Sequence, residues 1–397
     1  MAEKLHILAD KNIPYVASAL HRLGRISLFE TGELRPDMLH ETDTLVVRSE
    51  TRVDARLLEG SPVRFVGTAT IGTDHIDLDY LRKKGIAFAS APGCNANSVS
   101  EYVTAALLHL SHTLDFHLKG ASLGVVGVGN VGSKVVKKAE AMGVKVLQND
   151  PPLARKTGGT QFLPLDDLMG VDILTLHVPL TESGDDATYH LFDDERISKM
   201  KRGSILINTS RGAVAETGAI KRLLANGHLS AAVLDVWEGE PAVDVELLDQ
   251  VKIGTPHIAG YSLDGKVNAV STIQKALCEH FGVQTSWSPD GELPPAEIDR
   301  IVVRHDEPKG TDLARCVVSQ CYDIMKDDKR MRAMLALPKE QRAAYFRQLR
   351  IRYPVRREFS NTTVVLPNDD DFPSGMFRSL GFEIEVHHKR QLTSQKV

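Results

Sequence analysis

Short apolar runs alternate with amphipathic stretches of helical length from the start of the chain to about residue 280. Short apolar runs are typical of strands buried on both faces, and apolar positions three and four residues apart are typical of helices that cover a sheet. The alternation therefore predicts βαβ units and parallel sheets. The predicted strands are Leu5–Ala9, Thr44–Val47, Val63–Gly67, Ile86–Ser90, Leu123–Val126, Val144–Leu147, Ile173–Leu176, Ile205–Asn208, Ala231–Leu234 and Val251–Ile253.

Helical spacing predicts short helices at Pro14–Leu23, Ala55–Leu58 and Asp77–Lys84, and two long helices at 98–112 and 262–281. A break rich in Pro and Gly follows, and beyond it the pattern predicts a smaller α/β module. The predicted elements of this module are Arg300–Val303, Leu313–Met325, Thr363–Leu366 and Glu383–Val386.

Length and composition narrow the class of protein. A chain of 397 residues is long for one core, so two or three domains are expected. The formal net charge of −4 does not indicate the basic surface that binding of nucleic acid requires. The four cysteines lack redox or zinc spacing, and the first apolar run, Leu5–Asp10, is too short for a signal peptide or a membrane span. We expect a cytoplasmic protein that binds neither nucleic acid nor membrane.

A glycine-rich turn lies between the strand Leu123–Val126 and a helical pattern. Its glycines, Gly127, Gly129 and Gly132, have the GxGxxG spacing. The first permits a tight turn, the second lets the backbone approach a pyrophosphate, and the third permits close strand–helix packing. Asp150 follows the next strand, where a carboxylate binds ribose hydroxyls and repels a 2′-phosphate. The combination predicts a site for NAD rather than NADP.

Three polar residues follow three successive strands of the second set: Arg211, Glu240 and His257. The carboxyl ends of parallel strands meet at one edge of a sheet, where ligands bind. Histidine is suited to take a hydroxyl proton near neutral pH, a paired glutamate orients it, and arginine binds a carboxylate with two hydrogen bonds. Together they predict oxidation of a small 2-hydroxy acid, with hydride passing to the nicotinamide.

These segments resemble the D-isomer-specific 2-hydroxyacid dehydrogenase family. The resemblance implies that Arg211 binds substrate, Glu240 pairs with the histidine, and His257 is the catalytic base. It is carried by Gly127–Gly132, Ile207–Ala213, Leu234–Pro241 and Thr255–Gly260. The cofactor-binding residues that follow are Gly127, Gly129, Asn130, Val131, Gly132, Asp150, Val178, Asp235 and Gly260.

The resemblance also implies a fold: a Rossmann-type doubly wound parallel sheet inserted in a flavodoxin-like substrate domain, plus a small C-terminal α/β module. The predicted domains are a substrate-binding (lid) domain of 1–97 and 262–290, an NAD-binding domain of 98–261, and a C-terminal dimerisation domain of 291–397. The protein is accordingly expected to be a homodimer.

Further motifs resemble one member of the family that oxidises a phosphorylated 2-hydroxy acid. They are Ala9–Pro14, Val47–Ser49, Phe65–His75, Pro92–Ala96, Asp150–Pro152 and Ala259–Ser262. By this match Ser49, Thr70 and Tyr261 contact the substrate. Val178 departs from the pattern, because relatives often carry threonine there.

Several alternatives stay open. Arg48 and Lys266 are hypothesised to bind the substrate phosphate, because they lie beside Ser49 and after Tyr261. The enzyme could instead oxidise 3-phosphoglycerate, or the fold could serve an NAD-sensing corepressor, and the C-terminal module could be regulatory.

Two further segments are interpreted as structural. The cationic stretch Arg342–Arg357 has apolar residues at helical spacing, which favours an amphipathic helix over RNA binding. No metal site is expected, and His387-His388-Lys389-Arg390 is interpreted as a solvated tail rather than a metal site.

Overall fold

The structure, a computed structural model, describes residues 5–289, 291–369 and 371–387. His388, Lys389 and Arg390 lie outside these residues. The described part of the chain forms the following strands: β1 Leu5–Asp10, β2 Gly24–Phe29, β3 Thr44–Val47, β4 Phe65–Thr68, β5 Ala87–Ala89, β6 Ser122–Val126, β7 Lys145–Asn149, β8 Ile173–Leu176, β9 Ser204–Asn208, β10 Leu229–Leu234, β11 Ile253–Gly254, β12 Arg300–Val302, β13 Thr363–Pro367 and β14 Glu383–His387.

The α-helices cover the sheets between these strands, and short 3-10 turns complete the chain. The helices are α1 Val16–Leu20, α2 Ala55–Leu58, α3 Leu78–Lys84, α4 Ala96–Thr113, α5 Gly132–Ala141, α6 Pro151–Thr157, α7 Asp194–Lys199, α8 Thr217–Ala225, α9 Val245–Gln250, α10 Leu263–Phe281, α11 Gly310–Cys321, α12 Ile324–Arg332, α13 Lys339–Ile351 and α14 Ser374–Leu380.

Contacts divide the chain into two units. Among the described residues, one contains those up to Asn95 together with Ser262–Pro294, and the other contains Ala96–Tyr261 with those from Pro295 onward. The predicted C-terminal domain therefore belongs to the same unit as the predicted NAD-binding domain. The functions assigned to the domains stay predictions.

The first unit is a five-stranded parallel sheet in the order β2-β1-β3-β4-β5, which is the flavodoxin-like order. Helix α10 packs closely on this sheet. A Cβ at Gly67 in β4 would lie only 2.8 Å from the side chain of Ile273 in α10. Ser262 begins α10 by accepting a hydrogen bond from the N–H of Gly265, and Gly282 ends it in the left-handed conformation.

The second unit contains a six-stranded parallel sheet in the order β11-β10-β9-β8-β6-β7. The order reverses between β6 and β8, which is where an open α/β sheet binds its ligand. A separate parallel sheet, β12-β13-β14, is contacted by α14 at β14; α14 also contacts α5, and α11 contacts α4. The predicted fold class is confirmed.

One strand was missed, and two predicted elements were wrong in detail. Strand β2 was missed, because only Phe29 among its residues is fully buried and the strand lacks an apolar run. The helix predicted at Pro14–Leu23 is only α1, which starts after Tyr15 in a left-handed conformation. The single element predicted at Leu313–Met325 is two helices, because the backbone is extended at Tyr322.

The cationic stretch overlaps the helix α13, as predicted, and continues into residues that are neither helix nor strand. Among the described residues, no helix is long and apolar enough to cross a membrane.

Candidate active site

The three predicted catalytic residues leave neighbouring strands at one edge of the six-stranded sheet. Leu234 in β10 is in register with Asn208 in β9 and with Gly254 in β11. Arg211 lies three residues beyond Asn208, His257 three beyond Gly254, and Glu240 six beyond Leu234. The sheet register therefore delivers all three to the same edge.

His257 and Glu240 form a hydrogen-bonded pair. The Nδ1 atom of His257 lies 2.5 Å from Oε1 of Glu240, and the two side chains are 30% and 25% exposed. Burial raises the pKa of Glu240, but the charge and hydrogen bond of His257, the charge of Arg350 and the N–H of Trp237 outweigh it. The net pKa lies below the ordinary value, so Glu240 is a carboxylate at neutral pH.

Arg211 lies on a loop that touches the loop of Glu240. A Cβ at Gly212 would lie 2.0 Å from the carbonyl carbon of Trp237 and 2.3 Å from the backbone nitrogen of Glu238. Only glycine permits this approach. The side chain of Asn208 fixes the loop further, because its Nδ2 donates to the carbonyl of Arg211 at 2.9 Å.

Asp235 holds the turn that carries His257. Its buried carboxylate accepts hydrogen bonds from the hydroxyl of Thr255 at 2.6 Å, the N–H of Ile258 at 2.8 Å and the N–H of Ala259 at 2.9 Å. Its carbonyl accepts a fourth, from the N–H of His257 at 2.7 Å. His257 has φ of +57°, an uncommon conformation that these bonds maintain.

Thr255 connects this turn to the buried core. Its hydroxyl lies 2.8 Å from that of Tyr102 in α4, and its carbonyl accepts a hydrogen bond from the indole of Trp237 at 2.8 Å. Neither contact was predicted, since both partners are distant from Thr255 in sequence. Tyr102 is 153 residues away and Trp237 is 18 residues away.

The glycine-rich turn has the geometry that a dinucleotide pyrophosphate requires. Gly127 has φ of +85°, and its Cβ would lie 2.7 Å from the carbonyl of His177. A Cβ at Gly132 would lie 2.0 Å from the carbonyl of Gly127, whereas Gly129 faces open space. Two glycines thus allow close packing, and the third leaves room for a ligand beside the start of α5.

The other predicted cofactor residues surround this turn. The carboxylate of Asp150 accepts from the N–H of Val128 at 2.8 Å and of Leu153 at 2.9 Å, which fixes it at the end of β7. The side chain of Val178 packs on Gly127. Asn130 is exposed in the turn, Val131 precedes α5, and Gly260 is half-buried in the turn after His257.

Two of the predicted substrate residues lie together in the first unit. Val47 of β3 is in register with Thr68 of β4, and Ser49 and Thr70 each follow two residues later. Ser49 is exposed, and the hydroxyl of Thr70 contacts that of Thr68 at 2.8 Å.

The other candidates divide between the units. Arg48 and Lys266 are half-buried in the first unit. Tyr261, in the second, meets the edge of the Tyr353 ring at a centroid distance of 5.8 Å.

A second His–Glu pair was missed by the sequence analysis. Nε2 of His190 lies 2.7 Å from Oε1 of Glu238, whose other oxygen accepts from the N–H of Thr217. The N–H of His190 donates to the carbonyl of Ala213. The pair thereby links the loops of Arg211 and Glu240. No local sequence pattern predicts it.

His177 was also missed. Burial lowers its pKa to about 3, so it is neutral at physiological pH. Its ring nitrogens lie 3.0 Å from the hydroxyl of Thr175 and 3.1 Å from that of Thr209.

Within residues 5–289, 291–369 and 371–387, no group of three His, Cys, Asp or Glu could hold a metal ion.

Two family models match separate parts of the chain. The family model described as "D-isomer specific 2-hydroxyacid dehydrogenase, NAD binding domain" matches residues 97–259, and a domain of unknown function matches 293–381. The erythronate-4-phosphate dehydrogenase of Salinibacter ruber is 43% identical over 91% of this chain and 94% of its own. That of Chromohalobacter salexigens is 42% identical over 97% of this chain and 100% of its own.

The chain belongs to the erythronate-4-phosphate dehydrogenase family. Among solved structures, a D-lactate dehydrogenase from Aquifex aeolicus, complexed with NAD and lactic acid, is 28% identical with a TM-score of 0.57. The match covers 70% of this chain and 96% of that one. The predicted family, the NAD cofactor and the enzyme class, an NAD-dependent D-2-hydroxyacid dehydrogenase, are confirmed. The roles of the individual site residues stay predictions.

Proposed function

We propose that this protein oxidises 4-phospho-D-erythronate at C2 with NAD, giving 2-oxo-3-hydroxy-4-phosphobutanoate and NADH in the biosynthesis of pyridoxal 5′-phosphate (vitamin B6). The relatives that match nearly the whole chain are erythronate-4-phosphate dehydrogenases. The observation that carries the proposal to this chain's own chemistry is the pair of His257 and Glu240 at 2.5 Å.

His257 acts as the base in the proposed reaction. Glu240 is ionised and lies at Nδ1, so the neutral ring keeps its proton on that nitrogen and presents unprotonated Nε2 to the substrate. Nε2 takes the proton of the C2 hydroxyl, and Glu240 stabilises the resulting imidazolium. When bound, NAD would supply the acceptor for the hydride that leaves C2.

The other residues hold the reactants. The guanidinium of Arg211 binds the substrate carboxylate with two hydrogen bonds. The turn at Gly127–Gly132 binds the pyrophosphate of NAD, and Asp150 binds its adenosine ribose. The carboxylate of Asp150 already accepts hydrogen bonds from two backbone N–H groups, but the oxygens of an ionised carboxylate can accept more.

Ser49, Thr70 and Tyr261 are the proposed substrate contacts, and Arg48 and Lys266 the proposed phosphate-binding cations. Replacing Arg48 or Lys266 by alanine should raise KM for the phosphorylated acid if they bind it. An unchanged KM in both variants would exclude them.

A panel of 2-hydroxy acids tests the function, with NADH formation as the readout. 4-Phospho-D-erythronate should give a higher kcat/KM than 3-phosphoglycerate, and His257→Asn should abolish turnover while retaining NAD binding. A preference for 3-phosphoglycerate would reassign the substrate. Absence of turnover with every acid would favour the corepressor alternative.

We further propose a cytoplasmic homodimer formed through the three-stranded sheet. One face of this sheet carries Val302, which is 55% exposed, and the ion pair between Arg300 on β12 and Glu385 on β14, the two strands that flank β13. Val302→Glu should convert the dimer to a monomer in light scattering, whereas Leu28→Glu, at a position 50% exposed in the first unit, should not. A monomeric wild type would contradict the dimer and leave a regulatory role for the C-terminal module.

A further inference from the structure

The segment after residue 295 is fixed to the turn that carries His257. The guanidinium of Arg356 is buried, lies 4.3 Å over the ring of Tyr322, and donates to the carbonyl of Ala259 at 2.9 Å and of Ser98 at 3.1 Å. A buried arginine that donates to two backbone carbonyls defines a single docking position.

A second attachment lies on the other side of the turn. The carboxylate of Asp328 in α12 accepts from the N–H of Gly254 in β11 at 2.8 Å, and Arg332 donates to the carbonyls of Leu248 and Val251. Helix α12 and the segment around Arg356 are therefore both attached beside the turn that carries His257. The residues that connect α12 to Arg356 are fixed at both ends.

Arg350 is the cation that this arrangement presents beside the site. Its guanidinium carbon lies 5.7 Å from the ring centroid of Tyr261, the proposed substrate residue, and its charge helps to keep Glu240 ionised. The neighbouring Tyr353 packs on Tyr261 and donates to Asp327 at 2.7 Å, so the end of α13 is fixed at this place.

The proposed substrate carries two anionic groups, a carboxylate and a phosphate. Arg211 accounts for one of them. The D-lactate dehydrogenase solved with lactic acid, which has no phosphate, matches only 70% of this chain, and the segment around Arg350 falls in a separate family model. An added segment that contributes a planar cation suits recognition of an added phosphate.

We propose that Arg350 is a specificity-determining residue that binds the phosphate of the substrate. The inference rests on the proposed function, since it takes the phosphorylated 2-hydroxy acid as the ligand. It assigns the C-terminal module a part in the active site in addition to dimerisation. In the proposed complex, Arg211 binds the substrate carboxylate and Arg350 binds the substrate phosphate.

Calorimetric binding of 4-phospho-D-erythronate and of unphosphorylated D-erythronate separates this role from a structural one. Arg350→Met should weaken binding of the phosphorylated acid by about 10- to 100-fold, the effect of losing a charge-assisted hydrogen bond, and change binding of D-erythronate by less than about 3-fold. Arg350→Lys should restore part of the loss. Arg347→Met, an exposed cation one turn earlier on α13, is the matched control and should change neither.

The outcomes distinguish the two proposals. If the wild type binds both acids equally, the proposed substrate fails, whatever Arg350 does. If the wild type prefers the phosphorylated acid and Arg350→Met keeps that preference, or loses affinity for both acids equally while its thermal midpoint is unchanged, the role of Arg350 is overturned. Should Arg350→Met not fold, the Arg350→Lys variant decides, since a point charge should retain binding but a weaker preference for phosphate.

Discussion

Asp235 and His257 are joined through the backbone: the N–H of His257 donates to the carbonyl of Asp235 at 2.7 Å, while the Asp235 carboxylate holds the residues on both sides of the histidine. The position of the proposed base is thus set by one buried aspartate at the end of β10. The resemblance implies that Asp235 binds the cofactor, and its hydrogen bonds predict a positioning role in addition.

Asp235→Asn should lower both stability and turnover. Asparagine has one acceptor oxygen in place of two, so it leaves at least one of the N–H or O–H donors around it unsatisfied. The free energy of unfolding should fall by about 1–3 kcal/mol, measured by urea denaturation. Because the turn of His257 loosens, kcat should fall, measured as the rate of NADH formation. The exposed Asp249→Asn is the control, and equal stability of the two variants would refute the role.

Glu240→Gln should reduce kcat by about 100-fold or more, because the imidazolium loses its counter-charge. The change should also remove a pH-dependent part of the stability. The pKa of Glu240 is lowered from 4.5 in the folded protein, so its contribution is present above pH 4.5 and lost as the pH falls through the lower, folded value. The stability difference between wild type and variant should therefore shrink below pH 4.5 in urea titrations, and a constant difference would argue against the pairing.

Gly212→Ala should disrupt the contact between the loops of Arg211 and Glu240. The added Cβ would overlap the backbone at Trp237, which costs about 1–3 kcal/mol even after relaxation. We expect at least a 10-fold loss in kcat/KM. Gly218→Ala is the matched control, because its Cβ would meet only a carboxylate oxygen at 3.7 Å and it lies in α8, where alanine is favoured by up to about 1 kcal/mol. Equal activity of the two variants would show that the loops adjust freely.

A buried charged cluster joins α4 and α5 to the C-terminal module. Glu101 accepts a hydrogen bond from the N–H of Phe359 at 2.8 Å, Lys138 donates to the carbonyl of Leu380, and Glu358 accepts from Ser98 at 2.6 Å. Burial, with the charge of Glu358, raises the pKa of Glu101 to about 8.

Glu101→Gln should therefore change the pH dependence of stability. A carboxyl with a raised folded pKa stabilises the fold fully below its ordinary value of 4.5, and this contribution is lost as the pH rises to about 8. The wild type should lose stability relative to the variant across that window, as measured by chemical denaturation. A difference that does not vary with pH would show that Glu101 stays ionised in the fold.

Lys138→Met tests the same cluster from the cation. Removing Lys138 takes the donor from the carbonyl of Leu380 and a nearby positive charge from Glu101 and Glu358, which should cost about 1–3 kcal/mol of unfolding free energy. Adding Glu101→Gln to Lys138→Met should recover part of the loss. If the double variant is as unstable as the sum of the two single variants, the residues are not coupled.

The local pattern of the sequence predicted every described strand except β2, and it indicated which edge of the sheet carries the candidate residues. Parallel strands read as apolar runs because both faces are buried, and residues just beyond their carboxyl ends share an edge, which placed Arg211, Glu240 and His257 together. Strand β2 was missed for the same reason, since its side chains are mostly part-exposed and leave no apolar run.

The sequence by itself determined which elements form and which residues stand at their ends, because periodicity and turn residues report local backbone conformation and burial. Only the tertiary structure decided the partners that hold the site: Arg356 reaches Ala259 across 97 residues, and Asp328 reaches Gly254 across 74. Such pairs depend on how distant helices pack against the sheet, and no local pattern encodes that packing.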